Sequence, residues 1–257
     1  MPMLGLLWVC LPAPLPVRAA GPTTAAAQTR PRLATSDRPH DVAPALWAML
    51  QRLDARLTQI HDMQARFDKL KHTPLLRRPL VVHGQVWVKG DVARWDTQAP
   101  YVGTTLIRHG QVELYEPDEK RLEIYDLGQR MDLFGASPVP SFARMVRQFR
   151  VVQRPVKDLF SDLSPDEQRA ATAGKLLALQ WTPRDPEVAR HLAHLDMLLE
   201  VAHARLERLR LEPAQDQSWT EYRFHDLQVN RGIDDAVFKL NLPADVKIEH
   251  PLKGMTP

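Results

Sequence analysis

The stretch from Leu80 to Tyr125 decides the fold, because it contains five short segments typical of β-strands. These segments are Leu80-Val-Val-His-Gly-Gln-Val-Trp-Val88, Val92-Ala-Arg-Trp95, Thr104-Thr-Leu-Ile-Arg108, Gln111-Val-Glu-Leu-Tyr115 and Arg121-Leu-Glu-Ile-Tyr125. In the last two, apolar and polar residues alternate, as expected when one face of a strand is buried. The turns between the segments are too short for crossover helices. The sequence therefore predicts an antiparallel meander.

Outside this meander, the sequence predicts two helices and several more strands. Apolar residues recur at three- and four-residue steps from Ala43 to Ile60, with Pro44 in the first turn, which is typical of an amphipathic helix. A second short helix is expected within residues 137–149. Strands are expected at residues 63–72, 175–182 and 218–229. Residues 155–173 are ambiguous, although Ser164-Pro-Asp-Glu167 is a good helix start.

Residues 191–210 are the hardest part of the chain to interpret. Their leucines fit a helix to about residue 203, followed by a strand from Arg205. The segment from Arg205 to Glu212 also fits a strand on its own. On propensity alone, the sequence predicts a helix to about residue 203 and a strand from residue 205, but the choice between helix and strand for residues 187–203 stays open.

Composition limits the classes of protein to consider. The chain has 257 residues, 44% of them hydrophobic, which is enough for one good core in one domain. Its 34 basic and 31 acidic residues are intermixed and give a net charge of +3. Nucleic-acid binding calls for basic residues clustered on one element, and the sequence contains no such cluster.

The N-terminus has the pattern of an export signal. Residues 3–17 are apolar, and small residues that a signal peptidase can recognise follow them. The apolar run is too short and too rich in proline to span a bilayer. We expect a signal peptide at residues 1–27, a disordered leader at 28–43 and one folded domain at 44–257. Cys10, the only cysteine, would be removed with the signal, which excludes a thiol enzyme.

Catalytic and metal-binding motifs are scarce in the sequence. It contains no Gly-x-Ser-x-Gly elbow, no His-Glu-x-x-His and no phosphate-binding loop. His191, His194 and Asp196 have a spacing that metal ligands can use, but such residues are more often solvated surface. We therefore expect no catalytic residue, no metal site and no cofactor, and a protein that is not an enzyme.

Several short motifs, taken in order, resemble the LolA family of periplasmic lipoprotein carriers. The strand pair Gly84-Gln-Val-Trp-Val-Lys89 and Val92-Ala-Arg-Trp95, followed by Pro100, is similar to one in that family. The match continues through Leu106-Ile-Arg-His-Gly110 and Leu114-Tyr-Glu-Pro117, and resumes at Phe238-Lys-Leu-Asn-Leu-Pro243 with Val246. Together with the N-terminal helix and the strand that contains Phe67, the resemblance spans roughly residues 44 to 250.

The resemblance implies an α+β fold in which a curved antiparallel sheet forms an open half-barrel with a helical lid. It also favours strands from His194 to Glu212, which we adopt as the prediction. The half-barrel would hold acyl chains in an apolar trough, for which the candidates are Val86, Val88, Trp95, Leu106, Leu114, Leu122 and Ile124. The candidate lid residues are Leu50, Leu53, Phe142, Met145 and Phe149.

One departure from the family concerns the opening of the lid. The family often has an arginine after the Trp-Val-Lys strand that latches the lid, whereas Lys89 is followed here by Gly90-Asp91. Arg94, beside Trp95, is the candidate for a substitute gate.

The resemblance implies a monomeric carrier in the periplasm that moves a lipoprotein or another lipid toward the outer membrane. Its partners would be acyl chains, an inner-membrane releasing complex and an outer-membrane acceptor. The alternative is an envelope sensor or interaction module that uses the same half-barrel to bind a protein.

Overall fold

A computed structural model describes residues 38–108, 110–126 and 140–251 of the chain. The predicted signal peptide, most of the predicted leader and the start of the predicted second helix lie outside these residues. Twelve strands are present: β1 Asp62–His72, β2 Leu80–Lys89, β3 Val92–Thr97, β4 Gly103–Arg108, β5 Gln111–Glu116, β6 Arg121–Asp126, β7 Phe149–Arg154, β8 Leu176–Pro183, β9 Leu192–Glu200, β10 Arg205–Pro213, β11 Trp219–Val229 and β12 Lys247–Glu249.

The helices are short apart from the first. They are α1 Pro44–Leu57, α2 Phe142–Gln148, α3 Val156–Leu159, α4 Pro165–Thr172, α5 Pro186–Ala189 and a 3₁₀ turn at Asp235–Phe238. No helix among the described residues is long and apolar enough to span a membrane.

All twelve strands form one sheet, in the order β12-β6-β5-β4-β3-β2-β1-β11-β10-β9-β8-β7. Neighbouring strands are antiparallel, except that β12 pairs with β6 in parallel. Because β12 and β7 lie at opposite edges, the sheet is open. The predicted fold class, an open half-barrel of antiparallel strands with a helical lid, is confirmed. The predicted strands at residues 194–212 are also confirmed, as β9 and β10.

The two faces of the sheet carry different coverings. The inner face packs against α1 and α2 in one large apolar core, to which Val86, Val88, Phe224 and Leu199 contribute. On the outer face, Leu159 and Phe160 pack over Ala178 and Leu198 of β8 and β9. At the other end of the outer face, the segment 233–240 covers the opposite half of the sheet, where it packs on Leu106.

Helix α1 forms where the sequence predicts it and is held by its apolar stripe. Pro44 occupies the first turn, and Leu46, Trp47, Leu50, Leu53 and Leu57 are buried. Helix α2 is shorter than predicted and ends at Gln148. Phe149, predicted on this helix, is instead the first residue of β7, where it is 1% exposed.

The end of the predicted leader is ordered and packs against the sheet. The Asp41 carboxylate accepts hydrogen bonds from Arg184 at 2.8 Å and from Arg150 at 3.1 Å. Val42, next along the chain, is 2% exposed in the inner core. The disorder predicted for residues 28–43 is therefore wrong for residues 38–43, because this ion pairing and apolar burial hold them.

Candidate functional site

The inner face beneath α1 and α2 is the candidate site, and four of the predicted trough residues lie on it. The register pairs Val86 with Trp95 and Val88 with Ala93, and it aligns Leu114 with Thr105 and so with Trp95. Residues paired in this way point to the same face of a sheet. Val86, Val88, Trp95 and Leu114 all belong to, or pack against, the inner core.

The other three predicted trough residues, Leu106, Leu122 and Ile124, lie on the outer face. Leu106 pairs with Glu113, and Glu113 with Ile124, so all three residues point away from the inner core. Leu122 shares the face of Ile124, two residues away. Placing these three side chains in the trough is therefore wrong.

The physical reason is that both faces of this part of the sheet are covered. Segment 233–240 supplies Ile233 and Phe238 to cover Leu106, so apolar residues occur on the outer side as well. On the inner side their places are taken by Ile107, Val112 and Tyr125. Adjacent apolar residues such as Leu106 and Ile107 hide the alternation that marks a strand with only one buried face.

Arg94 also lies on the outer face, away from α1 and α2. It pairs with Trp87 and Leu106 across the sheet. Its guanidinium donates to Asp96 at 2.8 Å and to the carbonyl oxygen of Val237 at 2.7 Å. The prediction of Arg94 as a lid gate is wrong, because Arg94 and Trp95 are neighbours on a strand and point to opposite faces. Arg94 holds segment 233–240 instead.

The middle of the inner face carries an aromatic cluster, which we define as Phe67, Trp95, Tyr222 and Phe224. The ring of Trp95 meets the rings of Phe67 and Tyr222 edge-on, with centroid distances of 5.1 and 5.4 Å. Trp95 and Tyr222 are half-buried, so the edge of this cluster is open to contact. Such rings offer large apolar surfaces.

Helices α1 and α2 fill the rest of the inner face. Four of the five predicted lid residues, Leu50, Leu53, Phe142 and Met145, lie on these helices, and each is at most 7% exposed. The ring of Phe142 stacks on Trp181 of β8, with a centroid distance of 5.7 Å and an interplanar angle of 7°. In this closed arrangement the helices occupy the surface that an acyl chain would need.

Two indole groups in this core have no hydrogen-bond acceptor. Nε1 of Trp47 on α1 and Nε1 of Trp181 on β8 are both buried without a partner among the described residues. A buried donor left unpaired costs about 1 to 3 kcal/mol. An oxygen acceptor beside either group, from water or from a ligand, would satisfy it.

A group of titratable residues on the outer face involves one of the histidines considered as a metal ligand. Nε2 of His194 lies 3.5 Å from Oδ2 of Asp196 and 3.3 Å from Oε2 of Glu212. Hydrogen bonds to Asp196 and then to Glu212 raise the pKa of His194 to about 9. The ligand atoms of the three residues lie within 4.8 Å of one another, a spacing compatible with a metal ion.

His191, the other histidine considered, lies in the turn before β9 and is not part of this group. Sequence reasoning missed Glu212 because it comes from the neighbouring strand, where it pairs with His194. No local spacing reveals such a partner. Asp196 is buried, both carboxylates face His194, and the side-chain amide of Gln180 donates to Asp196 at 3.2 Å, so the group is an ion trio with one further hydrogen bond.

A second charged network anchors α4 to the outer face. The guanidinium of Arg208, which is 2% exposed, donates to Glu167 of α4 at 2.5 Å, to Asp162 at 2.8 Å and to Glu221 at 3.3 Å. Glu167 also caps α4 by accepting from the backbone of Ser164 at 2.7 Å. Burial lowers the pKa of Arg208, but the hydrogen bond to Glu167 and the charges of Glu167, Glu221 and Asp162 together outweigh this and raise it.

No protein-family model matches the chain, and no curated protein matches its sequence significantly. Several solved structures are similar in fold. An uncharacterized conserved protein from Thermus thermophilus is 12% identical, with a TM-score of 0.48, over 80% of this chain and 99% of that one. A LolA superfamily protein from Nitrosomonas europaea is 12% identical, with a TM-score of 0.42, over 75% and 96% of the two chains.

Another similar structure is MucB of Pseudomonas aeruginosa in complex with MucA. It is 15% identical, with a TM-score of 0.39, and the match covers 75% of this chain and 60% of that one. The likeness to these three structures is one of fold. Because these identities are low, the function of the chain has to be argued from its own residues.

Proposed function

We propose that this protein is a periplasmic carrier that binds the acyl chains of a lipoprotein or another lipid on the inner face of its sheet. The observation that carries the proposal is the way α2 is held. Seven residues are far too few for a helix that is stable alone in water. Contact with the inner face holds α2 in place, and that face is apolar enough to accept an acyl chain instead.

The magnitudes favour α2 as the helix that moves. Its large buried side chains, Phe142, Met145 and Val146, each gain about 1.5 to 3 kcal/mol from burial, or roughly 5 to 9 kcal/mol together. An acyl chain with about twelve buried methylenes gains about 10 kcal/mol. Helix α1 buries five large side chains, or roughly 8 to 15 kcal/mol on the same scale, so its removal costs more than the removal of α2. We therefore assign the lid role to α2 and a fixed wall to α1.

The buried indole of Trp181 supports the same assignment. Displacement of α2 uncovers Trp181, whose Nε1 then gains access to water or to a carbonyl oxygen of the ligand. The half-buried rings of Trp95 and Tyr222 offer a partly exposed apolar surface that the acyl chain contacts first. The carrier would receive its cargo from an inner-membrane releasing complex and pass it to an outer-membrane acceptor.

Two matched variants test the site. Leu114 on β5 and Ile124 on β6 are both half-buried, and they lie on opposite faces of neighbouring strands. We expect Leu114→Glu to weaken binding of a dansyl-labelled fatty acid by about tenfold or more, because a carboxylate then meets the acyl chain. Ile124→Glu should bind like the parent. Probe fluorescence gives the affinities, and thermal melts verify that both variants fold.

Equal weakening by both variants would mean that binding does not depend on the inner face. A parent protein that binds no acyl probe at all would contradict the carrier proposal. The inner face would then be better explained as a surface for a protein segment.

A further inference from the structure

Exposed apolar residues concentrate at one end of the sheet. Ten large hydrophobic residues among the described residues are exposed, and six of them lie in two neighbouring loops and the start of β2. Leu75 is the extreme case, at 94% exposed. We call these six residues the apolar tip: Leu75, Leu76, Leu80, Val81, Tyr101 and Val102.

The strand register brings the two loops together. The first loop joins β1 to β2, and the second joins β3 to β4. Gly84 of β2 pairs with Thr97 of β3, and the backbone N–H of Gln98 donates to the carbonyl oxygen of His83 at 2.9 Å. The two loops therefore leave the sheet side by side. A cluster of exposed apolar residues of this kind marks an interaction surface.

Basic residues predominate in the segment that carries most of the apolar tip. Residues 69–83 include Lys69, Lys71, Arg77 and Arg78 but no acidic residue. Nearby carboxylates are engaged: Asp68 accepts from His83 and His225, and Asp216 lies beside Ser218 and near Lys71. Arg77 and Arg78 directly follow Leu75 and Leu76, so the basic and apolar groups reach the same surface.

An aromatic pair lies at the same end. His72, the last residue of β1, stacks on Trp219, the first residue of β11, with a centroid distance of 5.3 Å. Tryptophan and tyrosine concentrate at the level of lipid headgroups in membrane interfaces, where one edge is apolar and the other is wet. Trp219 and Tyr101 fit that position.

We propose that the apolar tip docks this protein onto the surface of an anionic phospholipid bilayer. Exposed leucines enter the boundary between headgroups and acyl chains, and the arginines lie against lipid phosphates. The leucines alone or the arginines alone would bind a bilayer weakly. The two together give reversible attachment. The proposal concerns the empty protein and does not depend on the acyl-binding site.

Flotation with lipid vesicles tests the proposal on the full chain. We expect the parent to float with vesicles of phosphatidylethanolamine and phosphatidylglycerol, and to release as salt is raised. Leu75→Ser combined with Leu76→Ser should lower the bound fraction strongly. Arg77→Gln combined with Arg78→Gln should weaken partitioning by about thirtyfold, at about 1 kcal/mol per basic residue.

Val152→Ser is the matched control, because Val152 on β7 is 46% exposed, close to the 44% of Leu76, but lies far along the sheet order from the tip. It should float like the parent. Insertion is read directly by labelling Leu75→Cys, in a Cys10→Ser background, with an environment-sensitive dye, whose emission should shift to the blue on vesicles.

Three outcomes would overturn the proposal. They are a parent that fails to float, a leucine variant that floats as well as the parent, and binding to neutral phosphatidylcholine that equals binding to anionic vesicles at every salt concentration. Self-association that the leucine variant abolishes, without vesicle binding, would instead assign the tip to a second copy of the chain.

Discussion

Gly84 shows how one residue shapes the candidate site. A Cβ atom at this position would lie 2.3 Å from Cζ of Phe67 and 2.4 Å from the carbonyl oxygen of Asp96, closer than any real contact. Glycine in a strand often marks the close approach of another group. Here it lets the Phe67 ring lie across β2 and meet Trp95. Gly84, the glycine of the Gly84–Lys89 motif, is therefore required by the aromatic cluster.

His194 makes stability depend on pH. Bonds to Asp196 and Glu212 raise its folded-state pKa to about 9, above the ordinary value of 6.5. Its stabilising contribution is therefore complete below about pH 6.5 and disappears as the pH rises through about 9. We expect the free energy of unfolding, measured with urea, to fall by up to about 3 kcal/mol between these pH values.

His194→Gln separates this effect from other groups that titrate in the same range. The variant should be less stable than the parent at pH 6 and close to it at pH 9.5. If parent and variant lose the same free energy over this range, the trio does not hold a proton in the folded protein. In that case the raised pKa of His194 does not govern stability.

At the scale of elements, α2 and the α3–α4 segment are contrasting coverings of one sheet. Helix α2 is attached by apolar contact, chiefly Phe142 on Trp181. The segment containing α3 and α4 is attached by the ion pairs of Arg208 with Glu167 and Asp162. Breaking a buried pair by removing one partner costs about 3 to 5 kcal/mol. Of these two coverings, only α2 would compete with an apolar ligand for the surface that it contacts.

Phe142→Ala and Phe160→Ala test this contrast. Both rings are fully buried, one under α2 and the other under the outer-face covering. We expect each change to lower the free energy of unfolding by about 3 to 5 kcal/mol. Only Phe142→Ala should raise affinity for the fatty-acid probe, by about tenfold for each 1.4 kcal/mol of contact that no longer has to be broken.

Weaker binding by Phe142→Ala would mean that this ring contacts the acyl chain itself, and the competing-lid mechanism would be abandoned. Equal affinity gains in both variants would indicate a general loosening of the fold. Urea unfolding and probe titration on the same samples distinguish these cases.

The elements that the sequence predicts well are those with one buried face and clear turns. The five strands of the meander and α1 appear within a few residues of their predicted bounds. Helix and strand compete at β9, because its leucines, buried from both sides, lose the alternation that marks a half-exposed strand. The outward direction of Leu106 could not be predicted, because it depends on segment 233–240 covering the outer face, and the direction of Leu122 and Ile124 is set by strand register. Partners on a neighbouring strand, such as Glu212 for His194, are likewise set by register.

At the scale of the whole molecule, the two faces of the sheet carry coverings that are held in different ways. The inner layer of α1 and α2 packs mainly on apolar side chains of the open sheet, although α1 also buries Asp54 and its Arg56 donates to the carbonyl oxygen of Val201 at 2.6 Å. The outer layer is held by buried charges and by segment 233–240. An open sheet has no second wall to enclose a ligand, so its ligand must exchange with one of these layers.

Hydrogen exchange on the loaded protein tests this division. Because α2 leaves the inner face to make room for the acyl chain, its amides at residues 142–148 should exchange faster when a fatty acid saturates the protein. The amides of α1 should change little, since its five buried side chains hold it in place. The amides of α4 should not change, because Glu167 stays bound to Arg208. Greater protection of α2 on loading would contradict the mechanism and mean that the ligand binds beside a lid that remains closed.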